Sequence, residues 1–94
     1  MGGSRQDLII AIARARDQAK QLLTLLESQG HPQTNQSSSL YLALVSLQKR
    51  LRVEDAAAPL ARLAPELEQL VTLCVGKLAT IKPLVEDALR ITRS

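Results

Sequence analysis

Aromatic residues are nearly absent from this sequence, which contains one Tyr and no Phe or Trp among its 94 residues. Apolar residues still make up 46% of the chain, and Leu and Ala are prominent among them. A core of such aliphatic side chains suits helix packing better than the β-branched and aromatic surfaces of strands. The shortage also argues against a protein that binds single-stranded nucleic acid, because Tyr41 alone offers a platform for base stacking.

Cysteine and histidine occur once each. Cys74 cannot form an internal disulfide, whereas a small secreted domain usually depends on several, so we expect an intracellular protein, cytoplasmic rather than nuclear. Cys74 lies on an apolar helical face, where a cysteine behaves as a small hydrophobe. His31 stands between Gly30 and Pro32, which is typical of a solvated loop residue. We therefore predict no metal site and no cofactor.

Catalytic motifs are also missing, since the sequence contains no glycine-rich phosphate loop and no nucleophile elbow. Acidic pairs exist, but each lies at a predicted helix start or on a solvated face, with no histidine or basic partner at a spacing suited to acid/base catalysis. These pairs are Glu54 with Asp55, Glu66 with Glu68, and Glu86 with Asp87. We predict that the chain is not an enzyme and has no catalytic residues. No apolar run approaches the roughly 20 residues that cross a bilayer.

The length of the chain suits one domain with a single core, given a usual domain size of about 100 to 150 residues. Residues 1–4 resemble a leader added for expression rather than native sequence, and we expect residues 5–94 to form one helical-bundle domain cut from a longer protein.

A first helix is predicted over residues 5–29. Ser4 is a candidate N-cap with Asp7 three residues later, and Gly30 with Pro32 ends the helix. Apolar residues recur at alternating steps of four and three, at Leu8, Ile12, Ala15, Ala19, Leu22 and Leu26. This spacing places them on one helical face. The polar stretch from 29 to 38 predicts an exposed, mobile loop.

Two further helices are predicted over 38–63 and 65–92. The second has a serine N-cap among residues 37–39, and its apolar face consists of Leu40, Leu44, Leu47 and Leu51. The third begins at Pro65 and keeps one apolar phase across Pro83, with Leu67, Val71, Cys74, Leu78, Ile81, Val85 and Leu89. The similar lengths favour an all-α, antiparallel up-down-up three-helix bundle, kinked at its prolines. A short separate helix at 54–64 and a break at Pro83 are the alternatives.

Several large apolar side chains fall outside these apolar faces, and six of them are the candidates for partner binding. They are Ile10 and Leu25 on the first helix, Leu42 on the second, and Leu73, Leu84 and Ile91 on the third. Each helix of a three-helix bundle faces two neighbours and so needs a broad apolar surface. One interpretation is therefore that these residues belong to the core. Core packing explains Ile10 and Leu42 poorly. It also explains the last three residues poorly, because they line up as a second stripe. Since an exposed apolar stripe rimmed by charge is where a partner helix docks, we expect these six residues to bind a partner.

The net charge of +3 comes mainly from two basic groups, one on the first helix and one on the second. They are Arg14, Arg16 and Lys20, and Lys49, Arg50 and Arg52. We expect an adaptor or scaffold domain that docks an amphipathic helix or associates with itself, with these residues steering an acidic partner. Peripheral binding of anionic lipid or nucleic acid through the same residues is the alternative, and the sequence favours nucleic acid least because helix-turn-helix spacing is missing.

Overall fold

The computed structural model describes residues 5–53 and 60–93, and every regular element in those ranges is helical. Its α-helices are α1 (Arg5–Gln29), α2 (Thr34–Val53), α3 (Ala64–Leu73) and α4 (Lys82–Arg93), with 3₁₀ helices at Leu60–Leu63 and Gly76–Thr80. The described part of the chain contains no strand, so the predicted all-α class is confirmed. The expected leader, residues 1–4, and its candidate N-cap Ser4 lie outside the described residues.

Helix α1 has the bounds that the sequence predicts, and the inward face carries the expected apolar residues. Leu8, Ile12 and Leu26 are buried, while Leu22 is half-buried. The helix ends at Gln29, and Gly30 follows with a φ of +60°, a left-handed conformation that glycine adopts without a Cβ penalty.

The turn between α1 and α2 is shorter than the loop predicted over 29–38. Helix α2 already begins at Thr34, whose N–H and hydroxyl both donate hydrogen bonds to the carbonyl of His31, at 3.1 and 2.7 Å. Ser37, one of the expected N-caps, is fully buried inside the helix. The loop prediction was wrong because the polar residues 34–38 form the start of α2, with Asn35 and Gln36 exposed and Ser37 turned into the core.

A single third helix over 65–92 is also wrong, because α3 ends at Leu73 and α4 begins only at Lys82. Pro83 lies in the first turn of α4, where its missing N–H costs no intrahelical bond. It therefore belongs to the start of a helix and is not the predicted kink within one. The alternative of a break was nearer, although the break starts before Pro83. The apolar phase continues because Leu78 and Ile81 of the connector are buried too.

The possible helix at 54–64 lies largely outside the described residues. Its last described part, Leu60–Leu63, is a 3₁₀ helix that leads directly into α3. Helix α2 is described as far as Val53. The part of its predicted continuation that covers residues 54–59 lies outside the described residues, and Leu60–Leu63 is a 3₁₀ helix.

The helices pack as a bundle around one aliphatic core. Helix α1 contacts both α2 and α4, and α3 contacts α4. The Arg5 guanidinium donates to the carbonyl of Leu51 at 2.5 and 3.1 Å, which joins the start of α1 to the end of α2. The fully buried aliphatic residues include Leu8, Ile12, Leu26, Leu40, Leu44, Leu47, Leu67, Leu78, Ile81 and Val85. This core holds α4 along the N-terminal half of α1, where the candidate site lies.

Candidate docking groove

A groove of about 480 Å³ runs between α1 and α4. Its apolar lining consists of Ile10 and Ala11 from α1 and of Leu84 and Ile91 from α4. Ile10 is 42% exposed, whereas Leu84 and Ile91 are half-buried and pack against the core. The groove is therefore a shallow apolar surface laid over the core, with one prominent aliphatic side chain in its wall.

Helical spacing explains why these residues share the groove. On α1, Asp7, Ile10 and Arg14 are three and four residues apart and so lie on one face, beside the buried face of Leu8 and Ile12. On α4, the lining residues Leu84 and Ile91 are two turns apart, and the residues buried beneath them are Val85, Ala88 and Thr92. The groove forms where the residues beside the buried face of α1 meet the residues beside the buried face of α4.

Charged residues of both signs complete the groove. Asp7 and Arg14 contribute from α1, and Asp87 and Arg90 contribute from α4. Arg90 and Asp87 form an ion pair three residues apart on the helix surface. Two acids and two bases give this rim no net charge, which is a different electrostatic character from the basic surface that the sequence suggested.

Three of the six predicted partner-binding residues meet in this groove, namely Ile10, Leu84 and Ile91. The others are exposed elsewhere, with Leu25 51%, Leu42 59% and Leu73 38% exposed. Leu25 projects from α1 about 22 Å beyond Ile10, at a rise of about 1.5 Å per residue.

The predicted stripe of Leu73, Leu84 and Ile91 is not continuous. Leu73 ends α3, whereas the other two lie on α4, so the break between the helices separates them. Val75 in that break is 53% exposed, and the prediction of one continuous helix through this position does not identify it as a surface residue. The glycine at position 76 was the available signal for the turn.

The six basic residues have different environments. Arg14 lines the groove, and Lys20, Lys49 and Arg52 are exposed on other surfaces. The remaining two make contacts within the chain. Arg16 donates to the side-chain oxygen of buried Gln48 and forms an ion pair with Asp17 at 2.9 Å.

Arg50 holds Glu66 of α3 with two guanidinium nitrogens, one of them at 2.9 Å. This bidentate hydrogen bond lowers the pKa of the Glu66 carboxyl. The sequence did not predict the pair, because the two residues are 16 positions apart and belong to different helices. Arg50 thus fastens α3 to α2 instead of facing only solvent.

Cys74 lies in the core, where burial raises the pKa of its thiol. The sulfur donates a weak hydrogen bond to the carbonyl of Leu70 at 3.3 Å. A buried thiol that is held protonated is a poor nucleophile, which fits the small hydrophobe expected at this position.

Residues 5–53 and 60–93 contain no cluster of three or more His, Cys, Asp or Glu side chains that could hold a metal ion. Within the same ranges, none of the helices has the length and apolar character needed to cross a membrane. Comparisons with protein-family models, curated proteins and solved structures find no match to this chain.

Proposed function

We propose that this chain is a non-enzymatic protein-interaction domain, of the adaptor or scaffold type, that docks an amphipathic helix in the groove between α1 and α4. The supporting observation is the meeting of Ile10, Leu84 and Ile91 in one groove, with Ile10 42% exposed. A partner helix that covers these side chains removes apolar area from water, which is the main driving force of association. Recognition of a helix in a groove uses apolar anchors of this kind.

The arrangement of the helices supports the groove as a fixed surface. We infer that each helix runs antiparallel to the one before it. The predicted up-down-up order then holds for α1, α2 and α3, and α4 is a further antiparallel helix. Arg5 joins the start of α1 to the end of α2, Arg50 of α2 reaches Glu66 in the first turn of α3, and Arg93 at the end of α4 pairs with Glu68. Antiparallel neighbours with short connections are typical of helical bundles.

Binding of anionic lipid or nucleic acid through the basic residues has less support. Arg16 and Arg50 are engaged with Gln48 and Glu66, and the groove that holds Arg14 is neutral overall. A docking interaction depends on apolar contact and changes little with salt, whereas binding to a polyanion weakens steeply as salt rises.

A selection from a library of displayed amphipathic helical peptides tests the proposal. Peptides that bind the wild-type chain are measured against two matched variants, Ile10→Gln in the groove and Leu42→Gln on α2. Both side chains are exposed large aliphatics on helices, so the two substitutions cost similar folding stability. We expect Ile10→Gln to weaken binding by about threefold to eightfold, because full burial of a large aliphatic side chain contributes about 1.5 to 3 kcal/mol and docking can cover only the 42% of Ile10 that is exposed.

Leu42→Gln should leave peptide binding unchanged. The proposal is overturned if the selected peptides bind the Ile10→Gln variant as well as the wild type. Tight binding to phosphatidylserine vesicles that Lys49→Glu abolishes and Ile10→Gln does not affect would point to the lipid alternative instead.

A further inference from the structure

We propose that the natural occupant of the groove is the same groove of a second copy of this chain, related by a twofold axis that passes between Ile10 and Ala11 of α1. This inference rests on the proposed docking function and names the partner. In such a dimer the two α1 helices cross in opposite directions, and each copy contributes the same surface.

The charge pattern along α1 is the first argument for a second copy. Asp7 lies three residues before Ile10, and Arg14 lies three residues after Ala11. An antiparallel crossing centred between Ile10 and Ala11 therefore places Asp7 of each copy opposite Arg14 of the partner subunit. The apolar pair forms the centre, so the surface is complementary to itself in both charge and hydrophobicity.

The charges on α4 exclude a partner of one charge sign. Asp87 and Arg90 lie on the groove between the flanking apolar residues Leu84 and Ile91, and they add one acid and one base. A strongly acidic partner helix would meet Asp7 and Asp87, and a strongly basic one would meet Arg14 and Arg90. Like charges brought together at an interface oppose binding, so a rim that carries both signs requires a partner of complementary order, and a second copy laid antiparallel offers that order.

A pair of charge-reversal variants tests this inference by sedimentation equilibrium of the full chain. Asp7→Arg makes the α1 rim wholly basic, and Arg14→Asp makes it wholly acidic. Each variant alone then places like charges opposite each other at both symmetry-related contacts. We expect each to dimerise about tenfold or more weakly than the wild type, because two repulsive contacts replace two attractive ones.

An equimolar mixture of the two variants should recover association as a heterodimer, because the basic rim of one then faces the acidic rim of the other. Recovery also shows that neither variant has lost its fold. Ile10→Gln is expected to weaken the wild-type dimer as well, and Leu42→Gln should not. A wild-type chain that stays monomeric at millimolar concentration, or a mixture that associates no better than its components, overturns the inference.

Failure of the dimer inference can be distinguished from failure of the proposed docking function. If the chain remains monomeric but selected peptides lose affinity with Ile10→Gln, the groove docks a different helix and only the second copy is rejected. If Ile10→Gln affects neither association nor peptide binding, the proposed function itself is rejected.

Discussion

The side-chain amide of Gln33 occupies the space that a Cβ at Gly76 would need, with its Oε1 atom 2.6 Å from that position. The same oxygen accepts a hydrogen bond from the N–H of Lys77 at 2.9 Å, and the amide nitrogen donates to the carbonyl of Val75 at 3.0 Å. Gln33 thus binds the backbone on both sides of Gly76. This contact fastens the connector between α3 and α4 to the turn that precedes α2.

Substitution of Gly76 should therefore destabilise the fold strongly. Gly76→Ala displaces the Gln33 amide, which breaks its bonds to Val75 and Lys77, and places a non-glycine residue at φ +59°, a conformation that alone costs about 1 to 2 kcal/mol. We expect a total loss above about 2 kcal/mol in the free energy of unfolding, measured by urea denaturation.

Gly30→Ala is the matched control for that prediction. Gly30 has nearly the same φ, +60°, but nothing lies within 4 Å of its hypothetical Cβ. Its substitution should cost the backbone term alone, about 1 to 2 kcal/mol. Equal losses at the two glycines would contradict the role assigned to Gln33.

Removal of the Gln33 amide should loosen the connector. Gln33→Ala breaks the bonds to Val75 and Lys77, and we expect a loss of about 1 to 3 kcal/mol at about 0.5 to 1.5 kcal/mol for each hydrogen bond. The amide proton of Lys77 should exchange faster with deuterium. Gln36→Ala removes only a bond between the two glutamines, so it should leave exchange at Lys77 unchanged.

The pair of Arg50 and Glu66 should make stability depend on pH in the acid range. The hydrogen bonds from Arg50 lower the pKa of Glu66 in the folded chain, so the folded state holds this proton less tightly than the unfolded state does. The stabilisation is therefore present above the ordinary carboxyl pKa of 4.5 and is lost as pH falls through the lower folded value.

Comparison of the wild type with Glu66→Gln at pH 7 and at low pH measures this contribution. The two side chains are 37% and 44% exposed, and water and salt screen them, so we expect at most about 1 kcal/mol at pH 7 and a smaller difference in acid. In an Arg50→Met background the same substitution should have no pH-dependent effect. A difference that grows towards acid pH would refute the assignment.

The connector between α3 and α4 should behave as core despite its lack of α-helix. Leu78 is fully buried there, so Leu78→Ala should cost about 2 to 5 kcal/mol. Leu73→Ala removes the same atoms from a side chain that is 38% exposed and should cost much less. Thermal unfolding followed by circular dichroism compares the two variants. A loss of stability for Leu78→Ala as small as the one expected for Leu73→Ala would show that Leu78 does not support the core.

The sequence predicted α1 and the apolar core well, and it predicted the second half of the chain less well. Apolar spacing identifies Leu78 and Ile81 as buried, but it does not distinguish a continuous helix from a 3₁₀ connector that keeps the same phase. The break depends on Gly76 in a left-handed conformation, and its stabilising contact comes from Gln33, which is distant in sequence. Such a contact leaves no periodic signal.

The candidate site was predicted in part for the same physical reason. Helical geometry is sufficient to place Ile10, Leu84 and Ile91 off the apolar faces of their helices. Their meeting in one groove, and the separation of Leu73 from them, depend on how α4 packs against α1. The engagement of Arg50 by Glu66 likewise follows from the packing of different helices, which local spacing does not encode.

Chemical-shift mapping is the most direct test of the claim that the α1/α4 groove is the partner-binding surface. Backbone amide resonances of the full chain are followed during titration with the tightest peptide from the helical selection. We expect the largest shifts on residues 7–14 and 84–91, and we expect Ile10→Gln to suppress them. Shifts centred on α2 around Lys49 and Arg52, with the α1/α4 residues unmoved, would contradict the claim.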